Sequence, residues 1–229
     1  MRIKLAYTEK GAGEPLVLLH GNGENGRCFA AQTEYFSDKY RVIAPDTRGH
    51  GDSPRGNAPF TIETFADDLA EFFGDVGVDS AAVLGFSDGA NIAMRFALKY
   101  PERVKSLILV GGNLDACGVK PSAQIPIETG YKIARFFSHF SEKAAANAEM
   151  LGLMVTEPHI APSELAEISA PTLVVAGTHD MIKKEHTELI AKSIPGAKLL
   201  FLEGDHFLPY KEPQSLNFAV NEFLCECAK

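Results

Sequence analysis

Ala81-Ala82-Val83-Leu84-Gly85-Phe86-Ser87-Asp88-Gly89-Ala90-Asn91-Ile92 begins as an apolar run and ends as the opening of a helix. Ala81 to Leu84 has the composition of a strand buried on both faces. A helix-period pattern starts two residues after Ser87. Between the two lies Gly85-x-Ser87-x-Gly89, the form of a sharp strand-to-helix turn that lifts a serine hydroxyl off the carboxyl end of a parallel sheet. Glycine suits such a turn because backbone approaches backbone there and a Cβ would clash. The helix N-terminus behind Ser87 contributes partial positive charge, which favours an oxyanion. A motif this short recurs by chance, so its weight comes from the strand before it and the helix after it.

The rest of the chain repeats that alternation. Leu16 to Leu19, Val42 to Ala44, Leu107 to Val110, Leu173 to Ala176 and Leu199 to Leu202 are short apolar runs. Ile3 to Tyr7 alternates and reads as an N-terminal strand, with a turn over Glu9 to Gly13. Ile62, Phe65, Ala66, Leu69, Phe73 and Val76 share one helix face. Thr61 is placed to cap that helix, and Phe60 with Phe65 to staple its entry. After Ser87, Ala90, Ala93, Met94, Ala97 and Leu98 face one way, and Asn91, Arg95 and Lys99 form a polar stripe. Leu216, Ala219, Val220, Phe223 and Leu224 repeat the helical pattern near the C-terminus. Strands alternating with helices predict an α/β fold, a mostly parallel sheet covered on both faces.

One stretch breaks the rhythm. Residues 113–170 hold helical segments and no strand candidate, so the expected division is a core of residues 1–112 and 171–229 with a helical insertion between. Ile125 to Phe140 carries Tyr131, Ile133, Phe136, Phe137 and Phe140, and Ala144 to Val155 carries Met150, Leu151, Leu153 and Met154. Such an insertion is either extra helix on the core or a lid over a site at the carboxyl ends of the strands.

Composition narrows the function classes. The chain has 229 residues, 45% hydrophobic and 23% charged, as expected of one globular domain with an insertion. A net charge of −8 leaves no basic stripe to neutralise phosphates, so no nucleic-acid partner is expected. No run approaches the ~18 apolar residues of a membrane span, and no signal-peptide core follows Met1, so a cytoplasmic protein without a membrane partner is expected. Cys28, Cys117, Cys225 and Cys227 are scattered, in keeping with a reducing compartment. Cys225 and Cys227, two apart on a helix, point to different faces, and no metal is expected.

A serine hydroxyl needs an adjacent base, itself oriented by an acid. In this architecture the acid and then the histidine follow the serine, each on a loop after a strand. Leu173 to Asp180 ends a strand with an acid, and Lys198 to His206 ends the next with a histidine. Ser87, Asp180 and His206 are therefore the expected catalytic set. Asp115 also follows a strand and competes with Asp180. Asp205 adjoins His206 but diverges from it on an extended loop. His179 reads as loop surface or pocket, and His50 as a structural hydrogen-bonding residue. The backbone N–H groups of Asp88, after the serine, and of Asn22, between Gly21 and Gly23, are the expected oxyanion donors. The Asp88 side chain has two readings, a first-turn helix acid or a counter-charge for a cationic substrate group. No phosphate-binding glycine loop is present.

Taken together, His20-Gly21-Asn22-Gly23, Asp46-Thr47-Arg48-Gly49-His50-Gly51-Asp52-Ser53, Gly85-Phe86-Ser87-Asp88-Gly89, Gly177-Thr178-His179-Asp180 and Asp205-His206-Phe207 resemble the α/β-hydrolase superfamily from about Tyr7 onward. Within it the chain is similar to small lidded hydrolases of the carboxylesterase, enol-lactonase and valacyclovir-hydrolase kind. The resemblance implies a mostly parallel sheet of eight strands or slightly fewer, no cofactor, and a small acyl substrate carried through an acyl-enzyme. Dehalogenases and epoxide hydrolases of this fold use an aspartate nucleophile, against which Ser87 argues. Carbon–carbon bond hydrolases, perhydrolases and slow-turnover ligand sensors share the same pattern and stay open.

Overall fold

The computed structural model describes residues 2–228. Its first half runs β1 (Tyr7–Lys10), β2 (Glu14–Leu19), α1 (Ala30–Phe36), β3 (Tyr40–Pro45), α2 (Ile62–Asp75), β4 (Ala81–Phe86), α3 (Asp88–Lys99) and β5 (Val104–Val110). Two helices follow, α4 (Pro121–Phe137) and α5 (Glu142–Thr156). The chain then returns through β6 (Thr172–Gly177), α6 (Lys184–Ser193), β7 (Lys198–Leu202), α7 (Leu208–Lys211) and α8 (Pro213–Cys227).

The seven strands form one sheet in the order β1-β3-β2-β4-β5-β6-β7. Only β1 is antiparallel, pairing Tyr7 with Pro45 and Lys10 with Val42. The alternation of side chains along each strand divides the core in two. Ala81 and Val83 of β4 face a layer with Phe65, Leu69 and Phe73 of α2 and Met94 and Phe96 of α3. Ala82, Leu84 and Phe86 face the other layer, with Phe36 of α1 and Leu216, Val220 and Phe223 of α8. Fully covered strands are why the apolar runs read as continuous rather than alternating.

Local signals held at α2. Thr61 caps it, its hydroxyl accepting from Thr64 N at 3.2 Å, and the Phe60 and Phe65 rings meet edge-to-face at 4.8 Å. The N-terminal strand is displaced from its expected place: it covers Tyr7–Lys10, not Ile3 to Tyr7. Leu5 instead drops into the core, and the turn is confined to the residues around Gly11 and Gly13, both at positive φ. Within the polar stripe of α3, Lys99 is exposed and Arg95 half-buried, and at its N-terminal end lies the fully buried Asn91. It trades two hydrogen bonds with Asn113 past the end of β5, N–H to Asn91 Oδ1 at 2.9 Å and Asn91 Nδ2 to Asn113 Oδ1 at 3.0 Å.

Candidate active site

Ser87 sits in the turn between β4 and α3 with φ 54° and ψ −122°, the one non-glycine residue at positive φ among those described. Such backbone is strained for an L-residue and persists where its surroundings over-determine it. Those surroundings are the two glycines of the motif. A Cβ on Gly85 would collide with Gly89 O, and one on Gly89 with Leu19 O. Ser87 N donates to Val110 O at 2.8 Å, which ties the turn to β5.

The strand ends bring the expected partners to this serine. His206 Nε2 lies 3.0 Å from Ser87 Oγ, and His206 Nδ1 lies 2.7 Å from Asp180 Oδ1. With Nδ1–H donating to the carboxylate, Nε2 is left to accept the serine proton. His206 and Asp180 are both buried. Asp180 also accepts from Ile182 N at 2.9 Å and Gly177 N at 3.4 Å, and Lys120 Nζ donates to its backbone carbonyl at 2.6 Å. The arrangement can draw a proton from a hydroxyl as that oxygen attacks.

The competing residues are occupied elsewhere. Asp115 caps a short 3₁₀ turn, accepting from Cys117 N at 2.7 Å. Asp205 accepts from Phe207 N at 2.9 Å and pairs with Lys211. His179 is exposed beside Thr178 and Glu203. His50 Nδ1 lies 3.0 Å from Arg48 O, within the loop that Asp46 organises by accepting from Gly26 N and Asp52 N, both at 2.8 Å. His20 Nδ1 bonds Gly21 O at 2.7 Å while Nε2 accepts from Thr47 N at 2.9 Å. Burial pulls the His20 pKa down to about 4, so it stays a neutral strut for the Gly21–Gly23 turn.

Of the expected oxyanion donors, the backbone N–H groups of Asn22 and Asp88 make no internal hydrogen bond among the described residues, whereas Gly21 N is spent on Glu24 Oε2 at 3.2 Å. The Asn22 side chain reaches upward, its Nδ2 donating to Met150 O of α5 at 2.7 Å. The Asp88 side chain turns inward. Its Oδ1 accepts from Asn91 Nδ2 at 3.2 Å, and its buried Oδ2 has no hydrogen-bond partner. Burial pushes the Asp88 pKa up to about 6, opposed by the nearby amides and by His206.

Sequence reasoning missed three contributors. Gly111, at φ 63°, leaves room for the His206 ring, since a Cβ there would lie 2.9 Å from Cε1 and 3.0 Å from Nδ1. A Gly-Gly pair directly after a strand was the available signal. Glu24, held by Gly21 N and the Tyr210 hydroxyl, fixes the turn that carries Asn22. Phe86 packs its ring 5.1 Å from that of His206, and apolar position before the serine was its only mark.

Residues 14–157 match the family described as alpha/beta hydrolase fold. The chain belongs to that family. Among relatives of this alpha/beta hydrolase, the 3-oxoadipate enol-lactonase 2 of Acinetobacter baylyi is 27% identical over 95% of this chain and 92% of its own length. Lipase 1 of Psychrobacter immobilis is 31% identical over 91% and 76%. A thermophilic esterase from Thermogutta terrifontis superposes with a TM-score of 0.81 at 27% identity, covering 99% of this chain and 95% of that one. These relatives are hydrolases, and a hydrolase of this family is what they support.

Proposed function

We propose that this chain is a serine hydrolase cleaving a small carboxylic ester, lactone or thioester through an acyl-enzyme. The observation that carries the reading is the hydrogen-bonded chain from Ser87 Oγ through His206 to Asp180. Ser87 Oγ attacks the acyl carbon as its proton passes to His206 Nε2. The N–H groups of Asn22 and Asp88 receive the charge that develops on the carbonyl oxygen. The imidazolium then protonates the leaving group, Asp180 holds the ring in the working tautomer, and water admitted by the same base frees the acyl group. Residues 113–170 act as a lid. The support for this is the Asn22–Met150 hydrogen bond and the double one from Arg55 to Glu149, at 2.7 and 2.5 Å, which hold α5 over the turn that bears Asn22. Ester and lactone bonds are favoured because the lactonase, lipase and esterase relatives span most of this chain.

The test is turnover combined with labelling. The protein should hydrolyse p-nitrophenyl acetate or butyrate over many cycles, and a fluorophosphonate should place one adduct on Ser87. Ser87→Ala should do neither. An adduct elsewhere would remove Ser87 as nucleophile, and one acyl transfer followed by a stall would point to a ligand sensor.

A further inference from the structure

Two loops reach Ser87 from opposite ends of the chain. The turn after β2, Gly21 to Glu24, carries the Asn22 N–H, and the loop after β7 carries His206 into α7. Among the described residues a single hydrogen bond joins them. The Tyr210 hydroxyl of α7 donates to Glu24 Oε1, across 186 positions of sequence. The other carboxylate oxygen, Glu24 Oε2, accepts from Gly21 N at 3.2 Å. Each oxygen of one carboxylate therefore holds one loop.

The surroundings leave this clasp little slack. Glu24 N donates to Gly21 O at 3.3 Å, closing the turn on itself, and the Cys28 thiol is a further neighbour of the carboxylate. Gly21 lies close against the nucleophile, since a Cβ there would be 3.2 Å from Ser87 Cβ and 3.3 Å from the Phe86 ring. The Tyr210 ring stacks on Phe207 at 5.6 Å and meets Phe86 edge-on at 6.0 Å. A phenylalanine would make the same ring contacts, so what the hydroxyl adds is the bond to Glu24. Burial, and then the Glu24 carboxylate, push the Tyr210 pKa upward, so the phenol keeps the proton it donates.

We propose that Tyr210 is a positioning residue that, through Glu24, fixes the Asn22 N–H relative to His206. This rests on the proposed reaction, in which the oxyanion meets Asn22 while the leaving group takes its proton from His206. Both groups must reach one acyl centre together, and a misplacement of about 1 Å can cost about 100-fold in rate.

The experiment compares Tyr210→Phe with wild type on a p-nitrophenyl ester and on a boronic acid, which binds a nucleophilic serine as a tetrahedral adduct. The variant loses one oxygen and keeps the ring, so its thermal melt should stay within a few degrees of wild type. Its kcat should fall at least about tenfold with KM within about threefold, and the boronic acid should bind more weakly by a like factor. Glu24→Gln can still accept from Gly21 N and can donate to the Tyr210 oxygen, so it should keep at least about threefold more activity than Glu24→Ala. Tyr210→Phe combined with Glu24→Ala should be no worse than Glu24→Ala alone, because both break the same clasp. Tyr35→Phe, at an exposed tyrosine on α1, should change nothing. A Tyr210→Phe kcat within about twofold of wild type would overturn the proposal. So would a loss of kcat with undiminished boronic acid affinity, or a double variant whose losses multiply. Fluorophosphonate labelling separates the clasp from the reaction beneath it. An adduct on Ser87 with an unimpaired Tyr210→Phe removes the clasp alone, whereas folded wild type that takes no adduct removes the triad reading and the clasp with it.

Discussion

On one flank of Ser87, Asp180 receives hydrogen bonds from His206 Nδ1, Ile182 N and Gly177 N. On the other, Asp88 receives one, from Asn91 Nδ2, and its second oxygen receives none. Both carboxyls are buried to a similar degree. What separates them is the backbone around each. Asp180 lies in a turn whose own N–H groups fold back onto it, whereas Asp88 opens a helix and its carboxyl faces the side chains of Asn91, Asn22 and His206, with no backbone N–H donating to it. Burial alone therefore does not set a carboxyl's role; the number of donors that meet it does.

The first way to break this contrast is to amidate the well-held acid. Asp180→Asn should lower kcat by about 10⁴-fold, the scale known for a triad acid that fixes the tautomer of its histidine. Asp115→Asn, which alters a 3₁₀ cap, should stay within about threefold. Steady-state kinetics on a p-nitrophenyl ester compares them directly, and the reverse order would move the acid to the end of β5.

The under-held acid makes the next largest difference, and it does so in stability. The Asp88 pKa rises from the usual 3.8 to about 6 on folding. Below pH 3.8 both states carry the proton and there is no penalty. As pH climbs from there the unfolded chain ionises while the folded one keeps its proton, so the folded state loses ground until about pH 6 and stays penalised above it. About two pKa units correspond to roughly 3 kcal/mol. Asp88→Asn should therefore match wild type near pH 4 and exceed it at pH 8, by a Tm shift on the order of 10 °C. A variant that melts lower at pH 8 would mean that Asn91, Asn22 and His206 together hold the Asp88 carboxylate against the cost of its burial.

The well-held flank is also the legible one. Asp180 and His206 each follow an apolar run, and strand-end position is written in sequence. The other flank depends on contacts across elements. The helical pattern places Asn91 in a polar stripe but does not show its burial, because its partner, Asn113, comes from beyond β5. The N-terminal strand was misplaced for a related reason. Alternation over five residues does not fix which of them pair, and the register with β3 does. In α4 the aromatic residues were visible, but which side of the helix carries them outward depends on how α4 packs against α5.

Asn22 joins the weaker flank to α5, and its removal sharpens the contrast at smaller scale. Asn22→Ala keeps the backbone N–H and deletes the bond to Met150 O. A single neutral hydrogen bond contributes about 1 kcal/mol, so kcat/KM should fall by about fivefold. Stopped-flow acylation and steady-state rates should change together. A loss beyond about 100-fold would place the Asn22 side chain itself in the chemistry.

The smallest effect belongs to the other tie on α5, the pair between Arg55 and Glu149. Its geometry is bidentate, but the two side chains are 34% and 43% exposed, where water and salt screen the attraction. Arg55→Ala by itself would mislead. The same guanidinium donates to Gly56 O at 3.2 Å and Ala58 O at 2.9 Å and lies 4.7 Å from the Phe60 ring centroid, so truncation removes four contacts at once. A double-mutant cycle with Glu149→Gln isolates the pair. Urea unfolding of the four proteins should give a coupling below about 1 kcal/mol, shrinking as salt is raised. A coupling above about 2 kcal/mol that ignores salt would mean α5 is clamped as firmly as Asp180 is held, and the two flanks of Ser87 would no longer differ in how tightly they are built.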